Sequence, residues 1–170
     1  MANERILIAG IGNIFLGDDA FGVEVAQRLA LRPLPEGVRV VDYGIRGYDL
    51  AYALLDGYDA TIMVDATPRG GQPGTLYVID PEVEKLSTSN AQMVDAHSMH
   101  PLKVLQLVKS LGGEPRQVLV VGCEPATFGP EEGAMGLSDP VRIAVDEAVT
   151  LVESLVERLR EEGRIGEQPT

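Results

Sequence analysis

Two acids stand side by side, Asp18 and Asp19, where the apolar and glycine-rich run ILIAGIGNIFLG (6–17) gives way to a helix-like stretch. Other apolar runs end in the same way. VRVV leads to Asp42, TIMV to Asp65, and VLVVGC to Glu124. The two histidines, His97 and His100, fall in one polar segment. Carboxylates and imidazole are the groups that hold a divalent transition metal. They also activate water and protonate a leaving group. Each residue also has a plainer use. Asp18 is placed to cap the first helix, and that reading is preferred over a chemical one. Asp19 suits the positive end of a helix as well as it suits chemistry. Asp42 can brace the YGIRG turn, and His97 can be an ordinary loop histidine. Asp65 is harder to set aside, because an acid directly after TIMV must leave the sheet core or find a partner.

A strand running through glycines into a helix usually suggests a phosphate cradle, but these residues argue against one. GIGNIFLG has GxG without the third glycine of a dinucleotide fingerprint, and it lacks the lysine of a P-loop. Asp18 and Asp19 would repel an anion where such a fold must attract it. The segment presents acid to a cation.

The elements that must position these groups follow from periodicity. Strands are expected at 5–10, 38–44, 59–66, 74–80 and 117–123. Helices are expected at about 19–31, 48–57, 100–111 and 139–162, with Pro101 and Pro140 near the starts of the last two. Residues 81–98 are polar and without period. Strands that alternate with helices predict a single-domain, three-layer α/β/α fold over 1–163, with a mostly parallel, twisted, five-stranded sheet. The link TPRGGQPG (67–74) is too short for a helical crossover, so the fourth strand can run antiparallel at an edge. Residues 164–170 read as a flexible tail. Ligands of such sheets bind beyond the carboxyl ends of the strands, and the acids gather there.

Bulk properties set the outer limits. The chain has 170 residues, enough for one domain with a sizeable core. A formal net charge of -12 disfavours nucleic acid and anionic membrane as partners. The lone Cys123 excludes an internal disulfide and a zinc cluster of several thiolates, which suits a reducing cytoplasm. The N-terminal MANERILIAG does not read as a signal peptide, and no apolar run is long enough to span a membrane.

Four segments together carry a resemblance. GIGNIFLGDDAFGVEV resembles the N-terminal signature of the [NiFe]-hydrogenase maturation endopeptidases, approximately GxGNxLxxD(D/E)xxG. VDA (64–66), DAHSMHP (95–101) and VVGCEP (120–125) resemble later motifs of that family in order and spacing, to about residue 155. The resemblance implies an endopeptidase that removes a C-terminal extension from the nickel-loaded large-subunit precursor of a hydrogenase. It implies that Asp19, Asp65 and His97 are both the catalytic and the metal-contacting residues, with His100 secondary. It implies that the nickel belongs to the precursor, with no permanent cofactor on the enzyme. Asn13, Asp42, Gly44, Arg46, Gly47 and Glu124 are the candidates for contacting the precursor. The segment DYGIRGYDL (42–50) departs from the DGGTxG-like turn of many relatives, which bears on which hydrogenase is recognised.

Peptide hydrolysis needs an activated water, a polarised carbonyl and a protonated leaving amine. Asp19 and Asp65, held close, would raise one another's pKa unless a cation sat between them. The expectation is that the precursor's nickel is that cation. Three alternatives stand beside this one. The first is a cysteine protease using Cys123 and His97, although a small buried cysteine is the preferred reading of VVGCEP. The second is a nickel-binding maturation chaperone without hydrolysis, and the third a nucleotide-binding module, which the acidic rim disfavours. The oligomeric state is left open, with a monomer favoured.

Overall fold

The computed structural model describes residues 5–81 and 100–167. The apolar runs form five strands: β1 Ile6–Ile11, β2 Val38–Gly44, β3 Ala60–Ala66, β4 Leu76–Ile79 and β5 Gln117–Cys123. The helices among the described residues are α1 Phe21–Ala30, α2 Gly47–Leu55, α3 Pro101–Ser110 and α4 Asp139–Glu167. The sheet order is β2-β1-β3-β5-β4. β1 is parallel to both β2 and β3, and β3 is parallel to β5. β4 pairs antiparallel with β5 at the edge, as the short link before it requires.

Alternation along β1 sorts the two cores. Ile6 and Ile8 face one layer with Val25, Leu29, Val145 and Val149. Leu7, Ala9 and Ile11 face the other with Leu50, Leu54, Val104 and Val108. The helices therefore cover both sheet faces, which is why β1 and β3 are buried along their whole length. The chain steps from β1 to β2 through α1 on one face, and from β2 back to β3 through α2 on the other. Winding reverses between β1 and β3, the switch point beyond whose carboxyl ends sheets of this order have their ligand crevice.

The glycines of the first motif have steric work that needs no phosphate. A Cβ on Gly22 would lie 2.0 Å from the Val64 carbonyl oxygen and 2.4 Å from that of Ile11. Gly12 has φ 150°, and a Cβ there would lie 1.8 Å from the Asp19 carbonyl oxygen. These positions let the start of α1 press against the ends of β1 and β3.

Two helix boundaries differ from expectation. The helix expected from 19 begins at Phe21, and Gly17–Ala20 form a 3₁₀ turn before it. The last helix continues past 162 to Glu167, into the stretch read as tail, although Gly163 and Gly166 weaken helix propensity there.

Candidate active site

The 3₁₀ turn carries Asp18 and Asp19 into different surroundings. The Asp18 side chain is fully buried. Its Oδ2 accepts from the Ala126 N–H (2.8 Å), the Thr127 N–H (3.2 Å) and the Ser138 hydroxyl (2.8 Å). Its Oδ1 accepts from the Ser138 N–H at 2.7 Å. It does not cap α1, whose N-cap position is Ala20 with no side-chain bond. The capping expectation is corrected for a physical reason. A carboxylate without solvent needs several donors, and the loop before α4 supplies four in one place.

Asp19 is half-buried, at the switch point, where its charge acts on Asp65. Its Oδ2 accepts from the Asn13 N–H at 2.8 Å, and the Asn13 Oδ1 accepts from the Phe15 N–H at 2.9 Å. Asn13 therefore shapes the loop that holds Asp19. Burial raises the Asp19 carboxyl above its ordinary pKa, and the Asn13 N–H only partly offsets this.

Asp65 ends the apolar run of β3, paired with Gly122 of β5. It is 6% exposed. Burial, then the negative charge of Asp19, holds its carboxyl well above the ordinary value, against a hydrogen bond from the Ala66 N–H. The two acids expected to act together are thus electrostatically coupled across the crevice. Separated by 46 positions in sequence, they come within electrostatic range because the 3₁₀ turn before α1 and the end of β3 share the switch point. His97 lies outside the described residues. Among the described residues, no group of three or more His, Cys, Asp or Glu side chains is placed to hold a metal ion. The described rim offers the two carboxylates of Asp19 and Asp65 as oxygen ligands, a donor set that suits a divalent cation arriving with ligands of its own.

A family profile of hydrogenase maturation proteases matches residues 23–155. The chain is 32% identical over 162 residues to the hydrogenase 2 maturation protease of Escherichia coli, covering 94% of this chain and 93% of that one. It is 33% identical over 154 residues to a coenzyme F420 hydrogenase subunit delta of Methanothermobacter thermautotrophicus, covering 87% and 92% of the two chains. Among solved structures it is similar to the hydrogenase maturating endopeptidase HybD from Escherichia coli, with a TM-score of 0.74 at 31% identity and 94% of each chain covered. The chain belongs to the hydrogenase maturation protease family. It is a peptidase, and the fold expected from the sequence is that of its relatives.

The other candidate residues of the protease have defined places. Asp42 braces the turn after β2, as one reading of the sequence had it. Its Oδ1 accepts from the Gly44 N–H at 2.9 Å, and its carbonyl accepts from Arg46 Nη2 at 2.6 Å. Gly44 has φ 57°, and its carbonyl accepts from the Gly12 N–H at 3.0 Å, so this turn borders the crevice. Arg46 also donates to the Tyr43 carbonyl (3.2 Å) and pairs with Asp49 (3.3 Å), while Gly47 begins α2.

Glu124 is buried and turned toward the segment after β3. Its Oε1 accepts from the Arg69 N–H (2.9 Å), the Gly71 N–H (2.9 Å) and the Tyr77 hydroxyl (2.7 Å). Burial alone would raise its carboxyl, but the donors of Tyr77, Arg69 and Gly71 hold it below the usual value. His100 is the N-cap of α3, where its Nδ1 accepts from the Leu102 N–H at 3.1 Å. Burial, then the charge of Lys103, lowers its pKa. Cys123 is fully buried in the core cluster beneath α4. Burial, with the charges of Asp18 and Glu124, pushes its thiol up to about 12.

Ser138 was given no part by the sequence, yet two of its groups hold Asp18. The available signal was the adjacency of Asp18 and Asp19. Neighbouring side chains in a tight turn cannot share one direction, so one of the two had to find donors elsewhere.

Proposed function

We propose that the protease removes a C-terminal extension from the nickel-loaded large-subunit precursor of a hydrogenase, with the precursor's own nickel as the cation that Asp19 and Asp65 receive. The observation that carries this reading is Asp65, an acid buried at a strand end and opposed by the charge of Asp19. Such a pair holds a proton when alone and releases it when a cation takes its place. His97 is proposed as the third contact, on the strength of the DAHSMHP motif.

The acids have distinct parts. Asp19, anchored by the Asn13 N–H and open to the crevice, is suited to take a proton from the attacking water. Asp65, whose raised carboxyl gives up its proton when the cation arrives, is suited to hold the nickel, and the proton that Asp19 takes from the water is the one returned to the leaving amine. Water adds to the scissile carbonyl, the C–N bond breaks, and the amine leaves protonated. Nickel fixes the cutting point by binding both acids and the precursor's own ligands. Cysteine catalysis has little support, because a thiol near 12 is ionised in only about one molecule in 10⁵ at neutral pH. No helix among the described residues is long and apolar enough to cross a membrane, in keeping with a cytoplasmic site of action.

The test compares nickel-loaded and nickel-free precursor, each with untreated enzyme and with enzyme stripped by chelator and then freed of it. The expected outcome is cutting of loaded precursor by both enzymes and of empty precursor by neither. Cutting of empty precursor, or a stripped enzyme restored only by added zinc, would sink the reading. Binding of loaded precursor without release of a peptide would favour a chaperone.

A further inference from the structure

The acid pair accounts for a metal and a cut, but not for what holds the body of the precursor. Beside it, two loops are joined into one rim. The Gly17 N–H donates to the Ala134 carbonyl (2.9 Å), the Ala134 N–H to the Phe15 carbonyl (2.9 Å), and the Asp18 N–H to the Thr127 carbonyl (3.0 Å). Leu16 and Ala134 form a β-bridge. The buried Asp18 carboxylate ties the same two segments a second time through Ala126, Thr127 and Ser138.

This fixed backbone displays large apolar side chains to solvent. Phe15 is 59% exposed, Met135 69%, Phe128 40% and Ile14 39%. Isolated exposed apolar residues are ordinary. Here four come from two segments that hydrogen-bond to each other. A Cβ on Gly17 would lie 3.1 Å from the Phe128 backbone, and the Gly133 position abuts the Phe15 carbonyl at 3.1 Å, which sets the segments in contact. Exposed aromatic and methionine side chains on a fixed backbone are the kind of residue enriched at protein interfaces.

We propose that the face carried by residues 14–15, 128 and 135 is the docking surface for the folded body of the large-subunit precursor. The inference rests on the proposed function. Its occupant follows from continuity with the site. The Phe15 N–H holds Asn13, and the Asn13 N–H holds Asp19, so a body seated on Phe15 lies within one short loop of the acid pair. The chemistry also divides. A chain of net charge -12 attracts any cation. Apolar anchors beside the acids add a contact that a free ion or a short basic peptide cannot make.

The experiment measures cleavage of a nickel-loaded precursor that the wild type cuts, using Phe15→Ala, Phe15→Asp and Met135→Ala, with Leu31→Ala as an exposed apolar control. Both Phe15 variants should raise KM roughly tenfold or more, Met135→Ala less, and Leu31→Ala not at all. Tm should be unchanged and kcat should stay within about twofold, because these side chains bury little in the free enzyme. Unchanged KM in the Phe15 variants, with the wild type active, overturns the docking face and leaves the proposed function standing. A fall in kcat at constant KM also overturns it. A wild-type dimer that Phe15→Asp converts to monomer would assign the face to a second copy instead. A wild type that cuts no loaded precursor removes both this inference and the reading beneath it.

Discussion

Asp18 and Asp19 are neighbours in sequence, and the structure uses them in opposite ways. Asp18 is fully buried and receives four hydrogen bonds. Glu124, across the rim, is likewise surrounded by donors, and its carboxyl is held below the usual value. Asp19, half-buried, and Asp65, buried, have few donors among the described residues, and both carboxyls are raised. The first pair holds loops together and the second is left in want of a proton or a cation. Burial alone therefore does not mark a functional acid. What distinguishes the two acids proposed to act is burial with few donors among the described residues.

The largest effect should come from the unsatisfied pair. Asp65→Asn and Asp19→Asn should each lower cleavage of loaded precursor by roughly 10³-fold or more, the scale of losing a catalytic base or the carboxylate that holds the cation beside it. Asp65→Asn should at the same time raise Tm at neutral pH. The wild-type folded state holds the Asp65 proton more tightly than the unfolded chain. Its stability therefore falls as pH rises from the ordinary carboxylate range toward the raised folded value. The amide removes that pH-dependent loss. A gain of 1 kcal/mol would read as about 2–4 °C in a domain of this size. A Tm that falls at neutral pH, with the same slope as wild type, would break the contrast between the two pairs.

Asp18→Asn comes next, and its effect should be on the fold. Each oxygen of Asp18 faces a backbone N–H, Ala126 and Thr127 at one and Ser138 at the other. Either orientation of an amide must aim an NH₂ at a donor. Leaving buried donors unsatisfied costs about 1–3 kcal/mol. Calorimetry should show a Tm loss of several degrees, and Ser138→Ala, which removes only the hydroxyl, a smaller one. A neutral Asp18→Asn would return the residue to the helix-capping role that its position before α1 suggested.

Those two acids also show what the sequence could and could not disclose. The five strands were legible because apolar runs ended in turn residues and acids. The antiparallel edge was legible because TPRGGQPG leaves no room for a crossover. Asp65 was legible because an acid directly after TIMV demands a reason. Asp18 was not, because its donors lie 108 to 120 residues away, and only the fold brings the loop before α4 to the 3₁₀ turn. The displayed apolar rim was hidden for the same reason. Phe15 and Phe128 sit in turn-rich segments with no period, and the joining of those segments depends on hydrogen bonds between the loops.

Glu124 offers a milder test of the satisfied pair. Its folded carboxyl lies below the unfolded value, so its stabilising contribution is present above the unfolded pKa and fades as pH falls through the folded one. Glu124→Gln should therefore lower Tm at neutral pH, and the gap from wild type should narrow on acidification below the ordinary carboxylate range. Thermal melts of both proteins across pH 3–7 check this. A gap that widens in acid would show that the donors of Arg69, Gly71 and Tyr77 do not favour the charged form.

The smallest effect on activity should come from Cys123, which lies next to Glu124 yet belongs to neither pair. The thiol is buried in the core, where it donates to the Glu124 carbonyl at 3.7 Å. With the pKa pushed up to about 12, it is neither exposed nor ionised enough to attack a peptide. Two substitutions separate packing from chemistry. Cys123→Ala removes the sulfur without adding a strong polar group, whereas Cys123→Ser places a hydroxyl among Val121, Leu137 and Val141 of the same cluster. Both should cut loaded precursor within about twofold of wild type, since neither touches Asp19 or Asp65. The serine variant should melt lower than the alanine variant if it leaves its hydroxyl poorly bonded. Alkylating reagents should leave the folded enzyme active, because the sulfur has no exposed surface. Loss of cleavage in both variants with intact folds would place Cys123 in the chemistry and restore the cysteine-protease alternative.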